Sequence, residues 1–169
     1  MDNKKIIIGL VAVTLVILVG GVMLVGSAPA PKAIQASQNA KAETSETSFD
    51  WGEIKYDGPK ATKTFKIKNA GSDILQLTKV KTSCTCTTAQ IIINPSDPNA
   101  KRSPIFSMHA AAGWIGEVTA GQEADLVVIF DQSFHGPSGV GPIERLISVE
   151  TNDVKSPKLE FTLTGNVVK

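Results

Sequence analysis

The chain has 169 residues, of which 42% are hydrophobic and 20% charged, so it has room for one folded domain and a short appendage. It carries 17 basic and 16 acidic residues, and 15 of each remain when Asp2, Lys4 and Lys5 are set aside. This balance excludes the basic surface that a nucleic-acid-binding protein presents.

An uncharged stretch over residues 6–25 predicts a helix that spans a membrane. At about 1.5 Å per residue it forms roughly 30 Å of helix, which matches the hydrocarbon thickness of a bilayer. Lys4 and Lys5 precede this stretch, and the next basic residue is Lys32. Because basic residues favour the cytoplasmic side, the charges place the N-terminus in the cytoplasm and the rest of the chain outside.

A cleaved secretory signal is the alternative interpretation of this segment, since the small residues at 27–30 resemble a cleavage site. The apolar stretch is longer than the roughly 7–15 residues typical of a signal, and Pro29 and Pro31 disfavour cleavage. We therefore expect residues 1–26 to remain as an uncleaved anchor in the cell membrane. Both interpretations place the following domain outside the cytoplasm.

Residues 27–46 are rich in Ala, Ser, Pro, Gln and Lys and show no apolar period, which is typical of a flexible tether. The first alternation of large apolar and polar side chains follows at residues 49–54. The folded domain is therefore predicted to begin near Thr47 and to occupy residues 47–169.

Short alternating segments along this domain predict β-strands. Phe65 and Ile67 alternate with lysines, which indicates one buried and one solvated face. Residues 124–130 are apolar on both faces, which predicts a strand covered on both sides. Further strand-like segments lie at residues 49–54, 75–80, 91–93, 147–150 and 159–164. About seven short strands without an amphipathic helix predict an all-β fold, an antiparallel β-sandwich of immunoglobulin-like size.

Cys84 and Cys86 are the two cysteines of the chain, and one residue separates them. If residues 82–88 are extended, as their threonines favour, both sulfurs lie on one face of a sheet. An oxidising compartment ordinarily favours a structural disulfide, but extended i and i+2 residues lie near or beyond the usual Cα–Cα limit of about 6.8 Å. The spacing therefore predicts a thiol pair on one face, which can share a metal ion, share a redox event or simply pack.

Several segments of the domain carry a resemblance to a bacterial envelope family. They are residues 49–52 (Phe-Asp-Trp-Gly), 65–71, 83–87 (Ser-Cys-Thr-Cys-Thr), 121–131 and 151–167. Over residues 49–167 the chain resembles the domain-of-unknown-function family fifteen seventy-three, which is related to the Hydin-like and major-sperm-protein-like immunoglobulin-like domains. The resemblance implies an immunoglobulin-like sandwich in the envelope, with no established biochemical role.

The chain departs from the pattern of this family in two respects. Thr85 stands between the cysteines where the family has Gly, which favours strand geometry over a tight turn. The segments at about 94–116 and 132–142 are longer than the common pattern. These insertions hold the remaining soft ligands of the exported domain, which are Met108, His109 and His135.

Thiolate, thioether and imidazole together suit Cu(I), and thiolate with imidazole also suits zinc. We therefore predict a copper site, or else a zinc site, formed by Cys84, Cys86, Met108, His109 and His135. The spacings match no strong metal signature, so the prediction requires the fold to gather these loops at one end of the sandwich. Structural alternatives stay open: packed or mutually oxidised cysteines, a core methionine and surface histidines.

The sequence contains no signature of an enzyme. The glycine-rich loop 134–142 lacks the Gly-Lys-Ser/Thr of a phosphate-binding loop, and no nucleophile elbow or zinc-protease helix is present. Thiol redox by this cysteine pair would lack the helix N-terminus that activates a Cys-x-x-Cys site. Arg145, just after this loop, is compatible with a structural role. We expect Trp114 to form a lid over the sandwich edge rather than a binding platform. We expect no catalytic residue and no small-molecule substrate.

The sequence thus predicts a membrane-anchored, extracytoplasmic immunoglobulin-like domain that binds a soft metal ion through the cysteine pair. The competing prediction is a non-enzymatic scaffolding or adhesion module that contacts other envelope proteins through sheet edges or the inserted loops. The expected partners are the membrane, through the N-terminal helix, and a protein of the envelope.

Overall fold

A computed structural model describes residues 3–25, 34–109 and 113–169 of the chain. The chain forms two compact units, Met1–Lys32 and Ala33–Lys169. The small residues at 27–30, which resemble a signal cleavage site, lie outside the described residues, as does most of the first half of the predicted tether.

The first unit contains one apolar helix, α1 (Asn3–Val25). Its window Asn3–Gly21 has a mean hydropathy of 2.1, and the helix is long and apolar enough to cross a membrane. The hydroxyl of Thr14 donates to the carbonyls of Leu10 and Val11 at 2.9 Å, so this polar group is satisfied within the helix. The predicted apolar helix is therefore confirmed, and it fits a membrane anchor or a signal sequence.

The second unit is a β-sandwich. Its first five strands are β1 (Ala42–Glu43), β2 (Ser48–Lys55), β3 (Ala61–Asn69), β4 (Leu75–Thr82) and β5 (Thr87–Ile93). The next five are β6 (Lys101–Arg102), β7 (Ile115–Val118), β8 (Glu123–Phe130), β9 (Gly141–Thr151) and β10 (Lys158–Val168). One sheet has the order β1-β3-β8-β5-β6 and the other β2-β10-β9-β4-β7.

The immunoglobulin-like sandwich is confirmed, but the described residues form ten strands rather than seven. The additional strands include β1 and β6, which have two residues each, and β7, which has four. Strands this short show no alternation in the sequence. All strand pairs are antiparallel as predicted except β2 with β10, which run parallel.

The core lies between the two sheets and is filled by the inward positions of the long strands. Phe65 and Ile67 of β3 are fully buried, as predicted, and the ring of Phe65 lies 4.8 Å from that of Phe161 on the opposite sheet. The prediction for β8 is wrong in one respect. Only one face of this strand is buried, because Ile129 on the other face is 37% exposed.

The domain begins earlier than the predicted boundary at Thr47. Ala40 and Ala42 are buried, and β1 pairs with β3. The backbone N–H of Ala42 donates to Oδ2 of Asp153 at 3.0 Å. This segment docks through backbone hydrogen bonds and small side chains, so it shows none of the apolar periodicity that marks a strand in a sequence.

Replacement of Phe65 by alanine tests the core contact between the sheets. We expect Phe65→Ala to lower the free energy of unfolding by about 3–5 kcal/mol, because it leaves a cavity beside Phe161. Chemical denaturation of the full-length chain in detergent, followed by tryptophan fluorescence, measures the change. Ile74→Ala is the control, since Ile74 is exposed and should change stability by about 0.5 kcal/mol or less. Similar losses in both variants would contradict this core.

Acid pH tests whether the ionised side chain of Asp153 holds the segment around Ala42 against the sandwich. Burial alone would raise the pKa of this carboxyl, but backbone N–H donors from Ala42, Lys155 and Ser156 hold it below its ordinary value of 3.8. The ionised carboxylate therefore stabilises the fold above pH 3.8, and this stabilisation is lost as pH falls further.

The corresponding variant is Asp153→Asn, which cannot ionise. We expect it to cost about 1.5–3 kcal/mol near neutral pH, with a difference from the wild type that shrinks below pH 3.8. Unfolding curves at several pH values measure this difference, with the exposed Asp57→Asn as the control. If the variant is less stable than the wild type by the same free energy of unfolding at every acid pH, ionisation of Asp153 does not contribute to stability.

Candidate functional site

Both cysteines lie in a tight turn that joins β4 to β5. The N–H of Thr87 donates to the carbonyl of Cys84 at 3.2 Å, which closes the turn. The hydroxyl of Thr82 lies 2.9 Å from the carbonyl of Cys84 and 3.0 Å from that of Thr87. Thr85 is exposed at the tip, so the prediction that it favours strand geometry is wrong.

Cys84 and Cys86 form a disulfide with a Cα–Cα distance of 5.2 Å. The expectation of two separate thiols on an extended strand is therefore corrected. The extended chain would hold these Cα atoms roughly 6.6–7 Å apart. The turn shortens this separation and brings it within the range of about 4.4–6.8 Å found for disulfides.

The two sulfurs differ in their access to solvent. Cys86 is 2% exposed and packs with Ile54, Phe130 and Val167 in a small apolar cluster at one end of the sandwich. Cys84 is half-buried at the edge of the same cluster. An incoming group can therefore reach the sulfur of Cys84 more easily than that of Cys86.

The connection between β8 and β9 is held against the cysteine turn at its start. The N–H of Asp131 donates to the carbonyl of Cys86 at 2.9 Å. Hydrogen bonds from Lys60 and Ser133 hold the pKa of Asp131 below its ordinary range. Nε2 of the buried Gln132 lies 2.8–3.2 Å from three carbonyls, that of Lys55 at the end of β2 and those of Gly58 and Pro59 in the β2–β3 connection. These contacts fix the residues that precede His135.

His135 lies beside the disulfide, with Nε2 at 3.5 Å from Sγ of Cys84. The ligand atoms of Cys84, Cys86 and His135 all lie within 4.8 Å of one another. His135 is exposed, and its carbonyl accepts a hydrogen bond from the hydroxyl of Ser138 at 3.0 Å. Loop convergence at one end of the sandwich, which the metal prediction required, is thus present for these three residues.

Met108 and His109 lie in another segment of the domain, between β6 and β7. The carbonyl of Ser107 accepts a hydrogen bond from the N–H of Thr82 at 3.1 Å, so their segment runs beside the end of β4. Met108 is 42% exposed, which rules out the core position considered as its alternative. His109 is exposed and does not join the ligand group formed by the described residues.

Arg145 on β9 is a part of the site that the sequence interpretation missed. Its Nε donates to Sγ of Cys86 at 3.2 Å, and its guanidinium carbon lies 5.1 Å from the ring centroid of Phe130. Burial lowers the pKa of this guanidinium, which nevertheless stays charged. None of the ion pairs among the described residues includes Arg145.

The alternation of β9 contains a signal that identifies Arg145. The residue falls in phase with Ile143, Ile147 and Val149, which are the inward positions of the strand. A cation in that register must either be paired or lie beside a functional group.

Trp114 packs on Phe106 with ring centroids 5.2 Å apart, in keeping with the lid role expected for it.

Comparison with known proteins gives a match to a family model over part of the chain and a similar fold. Residues 42–111 match the family model described as "Protein of unknown function (DUF1573)". No curated protein sequence matches the chain significantly. A crystal structure of a protein of unknown function from Porphyromonas gingivalis is similar, with a TM-score of 0.56 and 22% identity, over 79% of this chain and 50% of that one.

Two other solved structures are similar at lower scores. The PapD-like domain 7 of human CEP192 has a TM-score of 0.48 and 15% identity, over 85% of this chain and 96% of that one. The YadV chaperone has a TM-score of 0.45 and 11% identity, over 76% of this chain and 52% of that one. The chain spans about half the length of the Porphyromonas gingivalis structure, a likeness that shows the fold alone. The resemblance predicted from the sequence is confirmed as a match to the DUF1573 family over residues 42–111.

Proposed function

We propose that this protein is a membrane-anchored extracytoplasmic domain whose reduced Cys84–Cys86 pair binds a soft metal ion together with His135. The observation that carries the proposal is the group of two sulfurs and one imidazole nitrogen, all within 4.8 Å of one another. Thiolate and imidazole are the ligands that copper(I) and zinc prefer. In the oxidised form the disulfide occupies both sulfurs, so metal binding requires its reduction.

The distance between the ligand atoms fits a shared ion. Bond lengths of about 2.3 Å to sulfur and about 2.0–2.1 Å to nitrogen place tetrahedral ligands about 3.5 Å apart. The measured distance from Sγ of Cys84 to Nε2 of His135 is 3.5 Å. After reduction the two sulfurs must separate to roughly 3.8 Å, a change that the exposed turn at Thr85 can accommodate.

The charge of Arg145 favours copper(I) over zinc. Two thiolates and a neutral imidazole around Cu(I) carry one net negative charge, which the guanidinium beside Cys86 neutralises. The complex of the same ligands with zinc has no net charge, so the half-buried positive charge of Arg145 would remain uncompensated. We therefore propose copper first and zinc second, with Met108 as a further ligand from the neighbouring segment.

A scaffolding or adhesion module is the second candidate function. It is favoured by two large apolar side chains that the described structure leaves in solvent, Ile105 at 69% and Phe134 at 54% exposed. Ile105 precedes Phe106, which pairs with Ala89 of β5, and Phe134 precedes His135. A protein of the envelope that covers these side chains would bind without requiring a metal.

The charges that flank α1 support our proposal that the sandwich lies outside the cytoplasm. Lys4 and Lys5 precede the apolar segment, and the next basic residue is Lys32. Basic residues concentrate on the cytoplasmic side of membrane helices, so we propose that the sandwich lies on the opposite side. The length of the apolar segment supports a retained anchor over a cleaved signal.

Metal titration of the reduced protein tests the thiol site. The reduced full-length chain in detergent should bind one equivalent of Cu(I) in competition with a chromophoric chelator, and more weakly Zn(II). Cys84→Ser/Cys86→Ser should abolish this binding, and His135→Ala should weaken it about tenfold or more, or about 1.4 kcal/mol.

The matched control is His109→Ala, which should leave the affinity unchanged because His109 lies outside the ligand group. Met108→Leu tests the proposed thioether ligand, and it should lower the affinity for Cu(I) alone. Equal binding by the wild type and the double cysteine variant would eliminate the metal proposal and leave the scaffolding function.

N-terminal sequencing of the membrane-associated protein tests the anchor. A retained anchor predicts that the sequence recovered includes the residues before Ile6. Accessibility of Lys169 to a membrane-impermeant reagent added outside intact cells checks the orientation. Recovery of a chain that starts after Val25 would overturn the retained anchor, and labelling only after lysis would overturn the location outside the cytoplasm.

A further inference from the structure

We propose that the Cys84–Cys86 disulfide oxidises a dithiol of a partner protein by thiol–disulfide exchange at Cys84. This activity belongs to the oxidised form and requires no metal, so it does not rest on the proposed metal site. It also differs from enzymatic turnover, because one disulfide reacts with one dithiol. The sequence offered no activating helix for such chemistry, but the folded sandwich supplies a cation instead.

The two sulfurs are suited to different roles in the exchange. Cys84 is half-buried at the rim of the site, which leaves its sulfur open to an attacking thiolate. Cys86 is 2% exposed inside the apolar cluster, which protects it from attack. An exchange reaction that begins at Cys84 expels Cys86 as the leaving group.

Arg145 stabilises the leaving group. Its Nε–H points at Sγ of Cys86 from 3.2 Å, although that sulfur is neutral in the disulfide. The ion pairs of the described residues give the guanidinium no carboxylate. Reduction creates a thiolate at the position where this half-buried cation lacks a counter-charge. The reduced state is therefore favoured, which makes the disulfide an oxidant.

The bonds and electrons of the exchange balance without a further reagent. A substrate thiolate attacks Sγ of Cys84, the Cys84–Cys86 bond breaks, and its electron pair leaves with Cys86 as a thiolate. A mixed disulfide now joins the substrate to Cys84. The second thiolate of the substrate attacks its own bonded sulfur and expels Cys84. The substrate leaves as a disulfide, and this chain retains two electrons as two reduced cysteines.

His135 flanks the sulfur that the substrate thiolate attacks. Its Nε2 lies 3.5 Å from Sγ of Cys84. His135 is exposed, which lets the substrate reach the imidazole and the sulfur from the same side.

The surroundings of Cys84 indicate a protein substrate with apolar side chains beside its cysteine. Ser83 and Leu146 are joined by two hydrogen bonds, from the N–H of Ser83 to the carbonyl of Leu146 at 2.9 Å and from the N–H of Leu146 to Oγ of Ser83 at 3.0 Å. Leu146 is exposed and pairs with the residue before Cys84, and exposed Phe134 packs edge-on against His135. Exposed apolar side chains on the neighbours of Cys84 and His135 favour an apolar partner sequence.

The test uses the oxidised full-length chain in detergent, with a chelator present and a reduced Cys-x-x-Cys peptide flanked by Leu and Phe as the probe. We expect stoichiometric conversion of the peptide to its disulfide, followed by mass spectrometry. The Cys86→Ser variant should form a mixed disulfide with an activated peptide through Cys84, whereas Cys84→Ser should form at least tenfold less. No peptide oxidation, or equal trapping by both variants, would overturn the proposal.

The redox equilibrium with glutathione separates the role of Arg145 from that of packing. Arg145→Met should shift this equilibrium at least tenfold toward the disulfide, while Arg145→Lys, which keeps the charge, should restore part of the shift. Arg102→Met is the control, because Arg102 is exposed on β6 and should not change the equilibrium. Circular dichroism verifies that each variant is folded. If the wild type and the three variants have the same redox equilibrium with glutathione, Arg145 does not stabilise the Cys86 thiolate.

The proposal of peptide oxidation and the proposal of metal binding can be refuted independently of each other. The peptide assay contains a chelator and begins with the disulfide, whereas the metal titration begins with the thiols. A chain that oxidises the peptide and binds no metal supports the exchange alone. A chain that binds metal and oxidises no peptide refutes the exchange alone.

Discussion

The chemistry that we propose for this end of the sandwich depends on the contact between the guanidinium of Arg145 and the sulfur of Cys86. Nε lies 3.2 Å from the sulfur, and the guanidinium carbon lies 5.1 Å from the ring centroid of Phe130. Phe130 in turn stacks on Trp51, which fixes the aromatic surface beneath the cation. A positive charge held in this way acts on whatever form the sulfur takes. It would stabilise the thiolate that we propose for the reduced form, and it would balance the charge of the proposed copper(I) complex of two thiolates.

The sandwich brings together residues that are distant in the sequence. The cysteine turn follows β4, His135 lies in the β8–β9 connection, and Arg145 stands on β9. Backbone hydrogen bonds join these parts directly, from Asp131 to Cys86 and from Ser83 to Leu146. The fold therefore holds an accessible sulfur, a protected sulfur, an imidazole and a cation in one place, although no single segment carries a recognised motif.

The long strands could be predicted from the sequence, because Phe65, Ile67 and Phe161 alternate with polar residues and are buried in the core. The geometry of the cysteine pair could not. Threonine favours an extended chain, but the hydrogen bond from Thr87 to the carbonyl of Cys84 bends it into a turn. The strand propensity of threonine thus yielded to the hydrogen bonds within the turn, which bring the two cysteines within disulfide distance. Arg145 was predictable in principle, since it occupies an inward position of β9.

Ionisation of the Cys86 thiol in a reduced Cys84→Ser variant tests most directly whether Arg145 controls this site. Ultraviolet absorbance of the thiolate, followed as pH is raised, reports the ionisation without a substrate or a metal. The contact at 3.2 Å predicts that the thiolate appears at lower pH when Arg145 is present than in the additional Arg145→Met variant. Identical titration curves for the two proteins would contradict a role for Arg145 in the chemistry of the cysteine pair.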